Sequence, residues 1–158
     1  MQAQEIFDIL KNQFPDAVTA LNSEPSFDPF IIVETAQIAN VALFCRDDEH
    51  LQFDYLMCLS GMDLGENLGV VYHLYSTTLA HRIVLKVTAP KTNPKVPTVE
   101  RVWRTADWHE RECYDLIGVI FEGHHNLIRI LCPYDWEGHP LQKDYKTPEE
   151  YHGMKVPY

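Results

Sequence analysis

A chain of 158 residues that is 46% hydrophobic and 23% charged has room for one folded unit with a buried core. Its formal net charge of -10 works against nucleic acid, whose affinity rests on Lys/Arg contacts to phosphate, and against direct adsorption to anionic lipid. No apolar run approaches the roughly 20 residues of a spanning helix, and Met1 to Glu5 lack the basic and apolar regions of a leader. The expectation is a soluble protein made without a cleaved address.

Along the chain, Ile6, Ile9, Leu10 and Phe14 recur at helical spacing and Pro15 ends the run, which predicts an amphipathic helix over Ala3 to Phe14. The loop Asn22 to Pro29 leads into Phe30-Ile31-Ile32-Val33, a β-branched stretch that reads as a strand. Thr35 is positioned to cap a second helix with Ile38, Val41, Ala42 and Cys45 on its apolar face. Leu51, Tyr55, Leu56 and Leu59 suggest a further helix over Leu51 to Leu59. A sheet segment then opens at Met62 to Asn67, and its clearest strands are Val70 to Thr77 and His81 to Thr88, joined by Thr78-Leu79-Ala80.

Pro90 to Pro97 reads as a polar, mobile connector and a lobe boundary. Thr98 is placed to cap a helix containing Val99, Val102 and Trp103, with the helical pattern running on through Trp108 to Ile117 and stopping at Gly118. Leu127 to Cys132 is short and apolar. Pro133 to Tyr158 has no sustained period yet carries Tyr134, Trp136, Tyr145, Tyr151 and Tyr158, too aromatic for a disordered tail. The expected fold is α+β, a mixed sheet with helices packed on one face, over residues 1–132 with a boundary near 90–97. Residues 133–158 form an extended arm for docking on a partner.

Cys45, Cys58, Cys113 and Cys132 form no C-x-x-C pair, so they read as free thiols and not as a disulfide or iron–sulfur framework. Neither G-x-G-x-x-G nor a Walker sequence nor a G-x-S-x-G elbow is present. Arg111 and Asp115 are four apart on a helix and can pair, either as a solvated surface pair or within a network with Glu110 and Glu112. Glu110 and Glu112 as an acid/base pair is a weaker reading, because residues two apart point roughly 200° apart on a helix. His109, Cys113, His124, His125 and His139 raise a metal site, but no compact four-ligand spacing or H-E-x-x-H supports one. Trp136 to Leu141 reads as a corner, either structural or set against another subunit with Lys143 and Asp144 at its rim.

The densest signal is Glu110-Arg111-Glu112, then Asp115 with two apolar residues, Gly118, Phe121, Gly123 and His124. It resumes at Ile130-Leu131, Pro133, Trp136, Gly138-His139-Pro140-Leu141 and Lys143-Asp144-Tyr145. These residues resemble the signature of the NuoC-type subunit of proton-pumping NADH:quinone oxidoreductase, respiratory complex I, with departures at His125-Asn126, Ile128 and Gln142. The resemblance implies a non-catalytic, cofactor-free scaffold subunit of the peripheral arm, on the cytoplasmic side of the cell membrane. Iron–sulfur clusters, flavin and quinone would belong to partner subunits. The partners implied are a hydrogenase-like quinone-site subunit and iron–sulfur subunits. The implied interface comprises Glu110, Arg111, Glu112, Asp115, Trp136, His139, Pro140, Leu141, Lys143, Asp144 and Tyr145. The alternative from another class is a freestanding metal or acid/base enzyme using His109, Glu112 and His124.

Overall fold

Alternation of buried and open side chains along Asn67–Ser76 and His81–Pro90 makes these the two central strands of the sheet, β4 and β5. The computed structural model describes residues 1–24 and 28–156; the prolines of the Asn22 to Pro29 loop lie in part, and Tyr158 of the tail wholly, outside them. The chain enters through α1 (Ala3–Gln13), β1 (Val18–Asn22) and β2 (Phe30–Val33). A 3-10 turn at Thr35–Gln37 leads into α2 (Ile38–Asp47), and β3 (Tyr55–Asp63) precedes β4 and β5. β6 (Lys95–Pro97), α3 (Ala106–Ile117) and β7 (Ile120–Glu122) follow, and a small hairpin of β8 (Glu150–Tyr151) and β9 (Met154–Lys155) closes the described chain.

The main sheet runs β1-β2-β5-β4-β3, with β2 parallel to β5 and every other pair antiparallel. In register, Ile31 lies beside Leu85, Leu85 beside Tyr72 and Tyr72 beside Leu59, so one face carries a continuous apolar layer. The helices cover that face: Ile6 and Leu10 of α1, Ile38 and Val41 of α2, and Cys113 and Ile117 of α3 are all buried in the same core. This is the expected α+β mixed sheet with helices on one side.

Four local expectations are corrected. Leu51 to Leu59 is not a helix: its second half is β3, where a bulge between Leu56 and Cys58 sets both Leu56 and Leu59 on the core face. Two buried leucines three residues apart imitate helical spacing when a bulge adds one residue to a strand. Thr35 does not cap α2, because its hydroxyl donates to the Thr88 carbonyl instead. Thr98 likewise caps no helix; residues 99–105 are turns, with Trp103 donating from its indole to the Phe53 carbonyl at 2.8 Å, and α3 begins at Ala106. The connector at 90–97 is tied down, for Lys95–Pro97 pairs in parallel with β7 and the Lys91 amine reaches Asp63 and Asp144. β1 is an addition to the expected elements, since its five residues, Val18-Thr19-Ala20-Leu21-Asn22, show no strict apolar and polar alternation.

Gly61 sets how closely α3 approaches the sheet. A Cβ there would collide with the Cys113 sulfur, so only glycine lets the helix seat on β3. Deeper in the same layer the Tyr72 ring is 1% exposed and its hydroxyl has no hydrogen-bond partner among the described residues. A buried hydroxyl left unpaired costs about 1–3 kcal/mol. Tyr72→Phe should therefore raise stability by about 1 kcal/mol in urea unfolding, and a loss of that size would show that the hydroxyl is satisfied.

Candidate functional site

The C-terminal end of α3 gathers the signature residues. Asp115 is fully buried, and one carboxylate oxygen accepts the N–H groups of Ile130 (3.0 Å), Leu131 (2.7 Å) and Cys132 (2.8 Å). Its other oxygen takes the Arg129 guanidinium at 2.7 Å, and Arg129 also donates to the Gly138 carbonyl. Burial pushes the Asp115 pKa up, but the Cys132 amide, Arg129 and the Leu131 and Ile130 amides outweigh it and hold the group at about 2. One side chain thus supplies the backbone partners that a strandless segment cannot find for itself.

The tail continues over the helix end. Gly118, at φ 91°, closes α3 in the left-handed conformation. Its bare Cα also lets His139 and Gln142 come close, since a Cβ would stand 2.7 Å from the His139 ring. His139 Nδ1 lies 3.0 Å from the Asp115 carbonyl, the Gln142 amide donates to the Ile117 carbonyl at 2.6 Å, and Leu141 N–H donates to Leu116. Lys143 N–H then donates to the Asp63 carboxylate, which the amides of Gly65 and Lys143 together hold at about 2. Farther on, Trp136 donates to the Tyr145 hydroxyl and packs against Tyr151 at 5.0 Å.

The arrangement changes the roles expected of several residues. Arg111 does not pair with Asp115; it donates to the carbonyls of Ile128 and Arg129. Glu110 and Asp115 do not share a network, because they serve opposite ends of α3. Both are fully buried, which removes them from any exposed interface. Glu112, Leu141, Lys143 and Asp144 remain exposed, while Trp136, His139, Pro140 and Tyr145 are half-buried. The tail is not free of its own domain: residues 139–144 lie on α3 and the end of β3. Arg129, which sequence reasoning leaves out, is the cation that Asp115 uses; a lone arginine in an apolar run is the available signal.

A second cluster sits at the start of α3. Glu110 accepts the Val99 N–H at 2.7 Å and the Thr98 hydroxyl, and its pKa is raised to about 7, chiefly by burial, against these two donors and with Glu100 and Asp107 adding to the rise. The buried His124 ring places Nε2 3.3 Å from Asp107 and 3.5 Å from Glu100, and His125 Nδ1 lies 2.7 Å from Glu100. Donor atoms of Glu100, Asp107, His124 and His125 lie within 4.8 Å of one another, a spacing that a metal set would need. The Asn126 N–H, however, donates to His124 Nδ1 at 3.0 Å. That nitrogen is the acceptor, so Nε2 carries the proton and donates to the Asp107 carbonyl at 3.2 Å, while the neighbouring Asp107 Oδ1 is buried with no hydrogen-bond partner among the described residues. The cluster is a hydrogen-bonded junction between the 98–100 turn, α3 and the turn after β7. His109 and Glu112 stand apart from it, along a groove beside β3, where His109 Nδ1 accepts the Leu59 N–H at 2.9 Å.

Apolar surface gathers around the first cluster. Leu131, Leu141 and Tyr134 are 62, 60 and 92% exposed, on the segment whose backbone Asp115 and Leu116 hold. Among the described residues no helix is long and apolar enough to cross a membrane.

Residues 31–151 match the family model described as the respiratory-chain NADH dehydrogenase, 30 Kd subunit. An NADH-quinone oxidoreductase subunit of Chloroherpeton thalassium is 50% identical over 153 residues, 95% of this chain but 63% of that protein. Its counterpart in Chlorobium phaeobacteroides is 48% identical over 160 residues, covering 99% of this chain and 96% of its own. Among solved structures, a trypsin-resistant fragment of Nqo5 superposes with a TM-score of 0.65 at 24% identity, over 80% of this chain and 100% of the fragment. A chain of the membrane-bound sulfane sulfur reductase, an archaeal respiratory membrane complex, does so with 0.76 at 21% identity, over 92% of this chain and 86% of its own. Both share the fold.

Proposed function

We propose, for a chain that belongs to the respiratory-chain NADH dehydrogenase 30 Kd subunit family, the role of a cofactor-free scaffold in a quinone-reducing respiratory complex. It docks in the peripheral arm of a complex I type oxidoreductase, on the cytoplasmic side. There it fixes the relative position of a hydrogenase-like quinone-site subunit and the iron–sulfur subunits, and it reaches the membrane only through them. Electron transfer between fixed centres and binding of quinone depend on geometry, and a rigid supporting shell supplies that geometry without chemistry of its own.

The observation that carries this reading is the contrast around α3. The buried carboxylates Asp115 and Asp63 are saturated by backbone amides and cations of the same chain, so neither is poised to react. Large apolar side chains beside them stand in solvent, as an interface core does before its partner arrives. The freestanding-enzyme alternative is disfavoured by geometry, because His109 and Glu112 line the groove beside β3 while His124 lies in the cluster with Glu100 and Asp107.

Leu131 and Leu141 contribute little to the fold at their exposure. The double change Leu131→Asp, Leu141→Asp should leave the unfolding free energy within about 0.5 kcal/mol of the parent, while recovery of the assembled complex falls at least severalfold. Equal recovery of parent and variant complexes on affinity purification would remove this surface from the interface.

A further inference from the structure

The main sheet ends in two edges that differ in how they are protected. β1 is short and bulged between Val18 and Ala20, and the Lys11 amine covers its Val18 carbonyl at 2.7 Å. Short length, a bulge and a lysine are the devices that keep an edge from pairing. β3 is nine residues long and contains no Lys, Arg or Pro. Its one bulge lies near its start, and Tyr55 and Met57 are each 47% exposed along it. Beyond the bulge and Leu59, whose N–H His109 takes, the rest of this edge has no basic residue or proline to keep another strand away.

The register states which groups are on offer. Leu64 N–H donates to Asn67 at the hairpin, so the amides of Met62 and Ser60 point toward β4, while those of Leu59, Gly61 and Asp63 point outward. Leu59 confirms this direction, because its N–H is taken by His109 from outside the sheet. Next to the outward groups runs a groove of about 160 Å³, bounded by Ser60 and Gly61 on the strand and by His109, Glu112, Leu116 and Leu141 opposite. Glu112 makes no ion pair among the described residues and stands exposed at the rim. Leu141 joins the groove to the apolar surface described above.

We infer that the outer edge of β3 receives an extended segment of a partner subunit as a sixth strand of the sheet. This rests on the scaffold reading and specifies its contact. Backbone hydrogen bonds to Gly61 and Asp63 supply the pairing, an apolar side chain of the segment meets Leu116 and Leu141, and a basic one faces Glu112.

The test compares residue-resolved amide hydrogen exchange of the isolated chain with that of the complex recovered from gently solubilised membranes through a tag on this chain. Gly61 and Asp63 should exchange freely in the isolated chain and slow by about a hundredfold or more in the complex, as an amide does on entering a ladder. Glu112→Lys should lower complex recovery severalfold without moving the melting temperature. Fast exchange of both amides within an assembled complex, or unchanged recovery of the Glu112→Lys complex, would overturn the added strand while leaving the scaffold reading intact. Failure to recover any complex would instead overturn the scaffold reading. Slow exchange in an isolated chain that light scattering shows to be a dimer would assign the edge to a second copy, and so also overturn the inference.

Discussion

Asp115→Ala should destabilise the protein by about 3–5 kcal/mol, the cost of removing one partner from a buried, hydrogen-bonded ion pair. The side chain accepts three backbone amides and the Arg129 guanidinium, and none of these four donors has another described carboxylate within reach. Its loss strands the N–H groups of Ile130, Leu131 and Cys132 and releases the arginine that holds the Gly138 carbonyl. Segment 128–145 should become protease-sensitive at once, before the sheet unfolds. The same logic fixes the acid behaviour. The folded-state pKa lies near 2, below the ordinary 3.8, so the carboxylate's contribution is fully present above pH 3.8 and is lost as pH falls through 2. That contribution is about 2 kcal/mol. Urea titrations of parent and variant at pH 7 check the first figure, and a variant that keeps both its midpoint and its protease resistance would refute the role given to Asp115.

Glu110→Gln should flatten the pH dependence of stability between pH 5 and 8. Here the sign is opposite, for the folded protein holds the Glu110 proton up to about pH 7 while an ordinary glutamate releases it near 4.5. The folded state therefore binds the proton more tightly, and stability declines as pH rises from 4.5 through 7. For a shift of this size the decline amounts to about 3 kcal/mol. Glu100, Asp107 and His124 face the same carboxylate, and burial with the two neighbouring acids makes its ionisation costly. Glutamine keeps an oxygen for the Val99 amide and has no charge to bury. The variant should be more stable than the parent at pH 8 and no more stable at pH 5. Parallel stability curves for the two proteins would show that Glu110 does not titrate in this range.

These two residues also mark where the sequence is legible. Helix α3, its Gly118 stop, the strands β2, β4 and β5 and the apolar face they share follow from local periodicity and punctuation. Periodicity reports which side of an element is buried. It does not report which loop comes back to meet that element, so the sequence offers Asp115 the arginine nearest to it, Arg111, when its partner arrives from residue 129. Thr98 illustrates the same limit. A threonine before an apolar run has the form of a cap, yet its hydroxyl serves Glu110 twelve residues on. At β3 the misreading has a different origin, because the bulge shifts the alternation and spaces two core leucines as a helix would. The tail has no period to read. Its aromatic content indicates contact surface, and part of the contact is with its own α3, through His139 and Gln142.

Scaffold function predicts a chain with little independent purpose, and this can be examined directly. The tagged protein would be recovered from gently solubilised membranes and its companions identified by mass spectrometry, with quinone reductase activity assayed on the same material. The account predicts stoichiometric iron–sulfur and hydrogenase-like subunits together with electron-donor-dependent quinone reduction. Recovery of this chain alone, or of a complex containing it but lacking iron–sulfur subunits, would contradict it.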